Sequence, residues 1–412
     1  MANYTTETIS RNYHDAIVGW QQRNFPELAI LEKYWDDYFK GQPPFQLLAK
    51  VGDIKSDQIQ IGQYAGRHCF EQAKQMVGNM FFSARDIIRA QASTELGSIQ
   101  QHRLTLDRAV TDKGKFAVLR IMAEELRHAY QMFWVLDQDQ TWKKPGLGDV
   151  AKQTMEELLS MELGTHVLDA FNIDFNDFLD NVTYATVIDL VGKYQLEMMQ
   201  IFSYAPMARS MGPMLQEESF HLGSGRTLLR EIAQMAARGE GDYSMDDVQR
   251  ALNLWFPRGL EMFGSEEGGA TAVTFGFKDK TNGVAQSLYI EEVRGVVDNI
   301  NVAIIQERAP GISRQDARAL LEEIERSGDV KQGIRPEDIL FLPSVKFFRR
   351  RGKEEYVFKP FDVRGDLLTQ DGKPYTPEKY LEYLTTALPH RFIGSREHKK
   401  FVDAMWDYLK TN

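Results

Sequence analysis

Cysteine is all but absent from this chain. Its 412 residues hold one, Cys69. That excludes an intrachain disulfide and any thiolate-rich metal or iron–sulfur site. Cys69 lies in Arg67-His68-Cys69-Phe70 and is expected to be a buried core residue rather than a nucleophile. Apolar runs long enough to cross a bilayer are missing, and the first residues, MANYTTETISRNYHD, lack the apolar stretch of a signal peptide. A cytoplasmic protein is the expectation. The surplus of positive charge that broad nucleic-acid binding needs is missing too, since the net charge is −10. There is no G-x-G-x-x-G dinucleotide motif. Redox chemistry would therefore need electrons from elsewhere.

What is present is one short pattern, twice. The first copy is Glu124-Glu125-Leu126-Arg127-His128 and the second is Glu217-Glu218-Ser219-Phe220-His221. On an α-helix, positions i and i+3 share a face, so Glu125 with His128, and Glu218 with His221, can reach one metal ion together. A further carboxylate precedes each copy: Glu95 thirty residues before Glu125, and Asp189 twenty-nine before Glu218. Two helices carrying Glu-x-x-His and two carrying one carboxylate are the ligand set of a dinuclear site inside a four-helix bundle.

The turns allow the geometry to be checked. A helix is expected from about residue 69 to 101, with Met76, Met80, Ile87, Ala90 and Thr94 at helical spacing and Glu95 on the extension of that stripe. After a turn near residue 111, Asp112 is expected to cap a second helix running to about Asp137. Glu95 then stands level with Glu125 and His128, roughly 22 Å from the turn. A third helix is expected from about Asn181 to the turn near residue 204, with Pro206 in the first turn of a fourth. Asp189 is level with Glu218 and His221 across that turn. Glu197 would lie about 12 Å off along the axis and is rejected as a ligand. Gly212-Pro213 is expected to kink the fourth helix. Residues 150–172 read as a crossover helix on which Glu162 and His166 form a surface or capping pair, with a second metal pair as the alternative.

The donor types select the metal. Four carboxylates and two imidazoles make a hard, oxygen-rich site, which favours two iron ions, with manganese as the alternative, over zinc or copper. Four carboxylates also neutralise two divalent ions, so the site can be buried. Glu125 and Glu218 are placed to bridge. Glu95 with His128 completes one ion, and Asp189 with His221 the other.

The rest of the chain reads as an all-α protein. Residues 1–66 are a helical segment with two helices over 1–42, Thr5 or Thr6 starting the first, and an irregular stretch over 43–66. Trp35, Tyr38 and Phe39 read as core. Residues 67–240 are a ferritin-like bundle, and 241–412 a helical extension with a small β element. In that extension a helix is expected to end at Trp255-Phe256-Pro257. A Gly-rich loop follows over 263–284 with a strand at 271–277. Helices follow over 284–308 and 314–327, the latter capped by Ser313. One hairpin is expected between 345–348 and 356–358, a second at Asp371-Gly372, and closing helices over 377–388 and 396–410. Arg349, Arg350 and Arg351 would form a solvated hairpin tip, or else meet coenzyme A phosphates or an acidic partner. Phe81, Phe82, Phe133 and Trp134 read individually as core, with a pocket lining as the alternative.

The order Glu, Glu-x-x-His, Asp, Glu-x-x-His at these spacings resembles the di-iron carboxylate oxygenases. Asp189 in fourth place among the six and the near-equal spacings resemble most the BoxB/PaaA-like ring epoxidases, which act on benzoyl- and phenylacetyl-coenzyme A. The length favours the benzoyl-coenzyme A type. The resemblance covers about residues 69–238. It implies a di-iron monooxygenase component that inserts one O2-derived oxygen atom into the aromatic ring of an acyl-CoA to give an epoxide. It implies electrons from an NAD(P)H-dependent flavin and iron–sulfur reductase, and no nucleic-acid or membrane partner. It further implies that Glu124 hydrogen-bonds His221, that Glu217 hydrogen-bonds His128, and that Gln91 is a pocket residue beside the metals. Another di-iron oxygenase, such as an aryl-amine N-oxygenase, and iron handling by a ferritin-like protein remain alternatives. A radical-generating subunit would carry Tyr where this chain has Met132.

Overall fold

A computed structural model describes residues 4–265 and 269–411. The fold is all-α and ferritin-like, and among the described residues the sheets are two-stranded ribbons. Among the described residues no helix is long and apolar enough to cross a membrane. The chain divides into two compact units. The first holds Met1–Asn181, Gly192–His221 and Glu267–Asn282; the second holds Val182–Val191, Leu222–Glu266 and Gly283–Asn412.

The first unit opens with strand β1 (Tyr4–Glu7), then helices α1 (Arg11–Asn24), α2 (Leu28–Lys33) and α3 (Trp35–Tyr38), then strand β2 (Ala49–Gly52). Thr5 and Thr6 do not start a helix: they pair with Val51 and Lys50 across an antiparallel ribbon. The stretch expected to be irregular thus supplies a strand. Trp35 and Phe39 are buried, while Tyr38 is 37% exposed and stacks on Phe116. Cys69 is half-buried rather than core, and burial raises its thiol pKa.

Helix α4 (Asn79–Arg103) begins ten residues later than expected. Gly78 has φ +57°, which ends any helix before it, and Phe70 is held extended by hydrogen bonds with Ser203 and Ala205. After the turn, the Thr111 side chain, not that of Asp112, caps α5 (Asp112–Asp137) by accepting from the Gly114 amide. Every residue from Ile121 to Leu136 is buried. A helix apolar and buried all round is a central element of its unit, and the charges it carries need partners.

The ribbon β3 (Lys143–Lys144) with β4 (Gly148–Asp149) leads into α6 (Val150–Ser160). The expected crossover helix stops there. Gly164 lies at φ +103°, and the Asn172 side chain accepts from the Gly164 and His166 amides, which fixes a loop. Glu162 and His166 therefore share no helix face. His166 is a core histidine: Nε2 donates to Gln100 Oε1 at 2.9 Å and Nδ1 meets Ser93 Oγ at 3.2 Å. Burial lowers its pKa to about 4. It is neutral in the fold, and an unfolded histidine titrates near 6.5. Its stabilising contribution is complete above pH 6.5 and is lost as pH falls toward 4, about 3 kcal/mol in all. Urea titrations across that window should show the loss, and His166→Gln should flatten it. Gly97 carries the opposing wall. A Cβ there would stand 3.0 Å from His166 Cδ2 and from Phe171 Cβ. Gly97→Val is expected to cost about 1–3 kcal/mol in denaturant unfolding.

Helix α7 (Phe178–Met199) starts at an Asp177 capping box, and α8 (Ala205–Ala237) follows with Pro206 in its first turn and Pro213 inside it.

In the second unit, α9 (Met245–Met262) starts at a Ser244 capping box and continues through Pro257 instead of ending there. Residues 266–268 of the expected Gly-rich loop lie outside the described residues. Beyond them, where a strand was expected, the first unit has the short helix α10 (Ala270–Thr274), begun by Gly269 at φ +89°. Helices α11 (Asn282–Arg308) and α12 (Arg314–Ser327) follow, with Ser313 capping the latter. The hairpin expected over 345–358 is absent. Phe348 and Phe358 take positive φ, and the Arg349 guanidinium occupies the Val345 and Arg351 carbonyls. Two of the three arginines are not solvated: Arg349 is buried and Arg350 pairs with buried Glu261, while Arg351 is exposed. Asp371-Gly372 does form the two-residue turn of a ribbon, β5 (Thr369–Gln370) with β6 (Lys373–Pro374), both turn residues having positive φ. Helices α13 (Pro377–Ala387) and α14 (Arg396–Thr411) close the unit.

Candidate metal centre

Three helices of the first unit carry five of the six predicted ligands: Glu95 on α4, Glu125 and His128 on α5, Glu218 and His221 on α8. All are buried, the two histidines completely. Two groups of ligand atoms result, Glu95 with Glu125 and His128, and Glu125 with Asp189 and His221; within each the atoms lie within 4.8 Å of one another. Glu125 belongs to both. Asp189 is buried on α7, one turn before Gly192 on the same face, and a Cβ at Gly192 would stand 3.9 Å from Glu218 Oε1.

Glu218 divides its oxygens. Oε1 lies 3.7 Å from His128 Nδ1 and Oε2 lies 3.5 Å from His221 Nδ1. Glu95 Oε2 is 3.5 Å from His128 Nδ1, and Glu125 Oε1 is 3.6 Å from His221 Nδ1. These separations are too long for hydrogen bonds. Two donors each about 2 Å from a shared ion stand roughly 3–4 Å apart. His128 Nδ1 and Glu218 Oε2 are buried and make no hydrogen bond among the described residues, a costly state that cations bound by the cluster would remove. Although burial opposes a charged His221, the carboxylates of Glu218 and Glu124 prevail and raise its pKa well above the usual value. The cluster calls for positive charge, and its donors fit two hard metal ions.

The outer nitrogens are held as well. His128 Nε2 is 3.0 Å from Glu217 Oε2, and His221 Nε2 is 3.1 Å from Glu124 Oε2. A carboxylate there makes Nε2 the protonated nitrogen and leaves the Nδ1 lone pair for a metal. Burial would raise the Glu124 carboxyl, but His221 and Arg120 outweigh it and hold it down at about 2. Gln91 donates to Glu95 Oε1. Burial likewise opposes ionised Glu95, while the adjacent Glu125 and His128 side chains and the hydrogen bond from Gln91 lower its pKa. Glu197, rejected on its level, pairs instead with Lys193 and is partly exposed. Phe81 packs on Trp142, and the Trp134 indole donates to Glu7, so both serve packing. Tyr130 turns away to Ile9 and His14.

Sequence reasoning missed three cations. Arg127 is buried and pairs with Glu217, as does Lys50 at 2.7 Å; Arg120 pairs with Glu124 at 3.0 Å. Arg127 and Arg120 were findable, standing at i+3 and i−4 from Glu124 on one helix. Lys50 was not, because it arrives from β2.

A family model described as phenylacetic acid catabolic protein matches residues 85–311, more than half of the chain. The chain belongs to the phenylacetic acid catabolic protein family. The matched stretch contains both Glu-x-x-His copies, Glu95 and Asp189. This family member is also 25% identical, over 245 residues, to benzoyl-CoA oxygenase component B of Aromatoleum evansii. The alignment covers 54% of this chain and 49% of that relative, so the chain spans about half the length of the curated relative it matches. Lys50 lies before the family match.

Proposed function

We propose that the protein is the oxygenase component of a di-iron monooxygenase. It inserts one O2-derived oxygen atom into the aromatic ring of an acyl-CoA such as benzoyl-CoA, giving an epoxide. Electrons come from a separate NAD(P)H-dependent flavin and iron–sulfur reductase. The observation that carries this reading is the pair of ligand groups sharing Glu125, with one oxygen of Glu218 turned to each imidazole. Family membership and the benzoyl-CoA oxygenase relative support the substrate class.

The ligands are Glu95, Glu125, His128, Asp189, Glu218 and His221, for two iron ions or, as the alternative metal, manganese. The metals would supply the activation of dioxygen, chemistry no side chain can perform. The chain supplies the rest. Glu217 and Glu124 fix the imidazoles with Nδ1 inward. Gln91 orients Glu95. The buried walls of α4 and α5 keep water from the reacting atoms.

A single turnover tests the reading. Fe(II)-loaded protein, freed of unbound reductant, receives benzoyl-CoA and ¹⁸O2. The expected product gains one labelled oxygen atom. Iron oxidised and retained with no oxygenated thioester would contradict the substrate assignment. A panel of aryl acids, their thioesters and aryl amines would then identify the substrate.

A further inference from the structure

The two halves of the centre repeat in their ligands but differ in the charges behind them. Among the described residues, the carboxylate that holds His128 meets two cations: Glu217 Oε1 is 2.7 Å from Lys50 Nζ, and Glu217 Oε2 pairs with buried Arg127. The carboxylate that holds His221 meets one: Glu124 Oε1 accepts from Arg120 Nε at 3.0 Å. Arg120 is further tied to the Gln42 side chain and lies 3.8 Å over the Phe220 ring. The difference originates in the N-terminal ribbon. Lys50 belongs to β2, and its ammonium lies over the Tyr4 ring of β1 at 5.1 Å. Its backbone amide donates to Gln131 on α5 at 2.7 Å, which fixes the strand against the helix. Counted over these direct ion pairs, Glu217 with Lys50 and Arg127 sums to +1, and Glu124 with Arg120 to zero, while Arg127 also acts across one helical turn on Glu124.

We infer that Lys50 and Arg127 are positioning residues that make the two metal positions unequal: the first ion enters on the His221 side, and the His128 side binds later and more weakly. Two effects act in the same direction. A carboxylate that accepts the Nε2 proton raises the basicity of Nδ1, and cations on that carboxylate take part of the effect away. The surplus positive charge also repels an incoming cation. One unit of charge about 8 Å from one ion and about 12 Å from the other, at an effective dielectric near 20, separates the two divalent-ion affinities by about tenfold. The inference rests on the dinuclear reading of the site.

The test is an anaerobic Fe(II) titration of the whole protein, followed by calorimetry, with wild type, His128→Ala, His221→Ala, Lys50→Met and Lys50→Arg. Wild type is expected to take two ions in separate steps at least tenfold apart in affinity. His128→Ala should keep the tight step. His221→Ala should lose it and retain only the weak one. Lys50→Met should bring the two steps together, and Lys50→Arg should restore the gap. A merely structural lysine would not move the gap while leaving the tight step in place. Two ions taken up with equal affinity, or a tight step that survives His221→Ala, would overturn the inference while leaving the dinuclear site standing. A wild type that binds fewer than two ions would overturn both.

Discussion

Glu218→Ala is expected to lower the iron content of the protein from two ions per chain to one or none, and to reduce turnover to background. Glu218 turns one oxygen to each imidazole, at 3.7 and 3.5 Å. The position facing it on α7 is Gly192, which has no side chain to take its place. The effect on folding should have the opposite sign in the metal-free protein. Without a cation, Glu95, Glu125 and Glu218 crowd buried negative charge, and removing one relieves it. Metal-free Glu218→Ala should therefore unfold at a denaturant concentration no lower than metal-free wild type. Iron analysis with urea unfolding of both forms checks the pair of statements. A variant that keeps two ions, or one whose metal-free form collapses, contradicts this role.

Glu217→Ala should be the most damaging change that leaves all six ligands in place. It strands Arg127, which is 2% exposed and whose pKa burial has already lowered to about 10. Removing one partner of a buried ion pair costs about 3–5 kcal/mol. It also frees His128 Nε2, and loss of such a partner weakens metal affinity about 10–100-fold. Thermal unfolding and Fe(II) affinity measured on the same preparation should both shift. Glu197→Ala is the control. Its carboxylate pairs with Lys193 at 3.9 Å on the helix surface, and its loss should change stability by no more than about 0.5 kcal/mol.

The two predictions rest on features that were not equally legible in the sequence. The ligands could be read because helical spacing and turn position are one-dimensional: Glu95, Glu125 and His128 fall level by counting residues from the turn alone. Helix ends could be read where a cap was written beside them, as at Ser313, and the Asp371-Gly372 turn was legible for the same reason. Where the chain's local preference was overruled by distant partners, the expectation failed. Phe70 is held extended by Ser203 and Ala205, so α4 starts late. The Asn172 side chain breaks the crossover helix after Ser160, so Glu162 and His166 never share a face. The Arg349 guanidinium takes carbonyls that a hairpin would have paired, and Arg349 and Arg350 turn inward. Lys50 stands behind the metal centre only because β1 and β2 pair, and no spacing rule connects residue 50 to residue 217.

The central claim is that one chain holds a coupled pair of iron ions between Glu95, Glu125, His128, Asp189, Glu218 and His221. Mössbauer spectroscopy of the protein loaded with ⁵⁷Fe and oxidised tests it most directly. The account predicts two iron ions per chain in one magnetically coupled, oxygen- and nitrogen-bound pair, and loss of that signature in Glu218→Ala. A single iron per chain, two uncoupled ions, or an unchanged spectrum in the variant would contradict it.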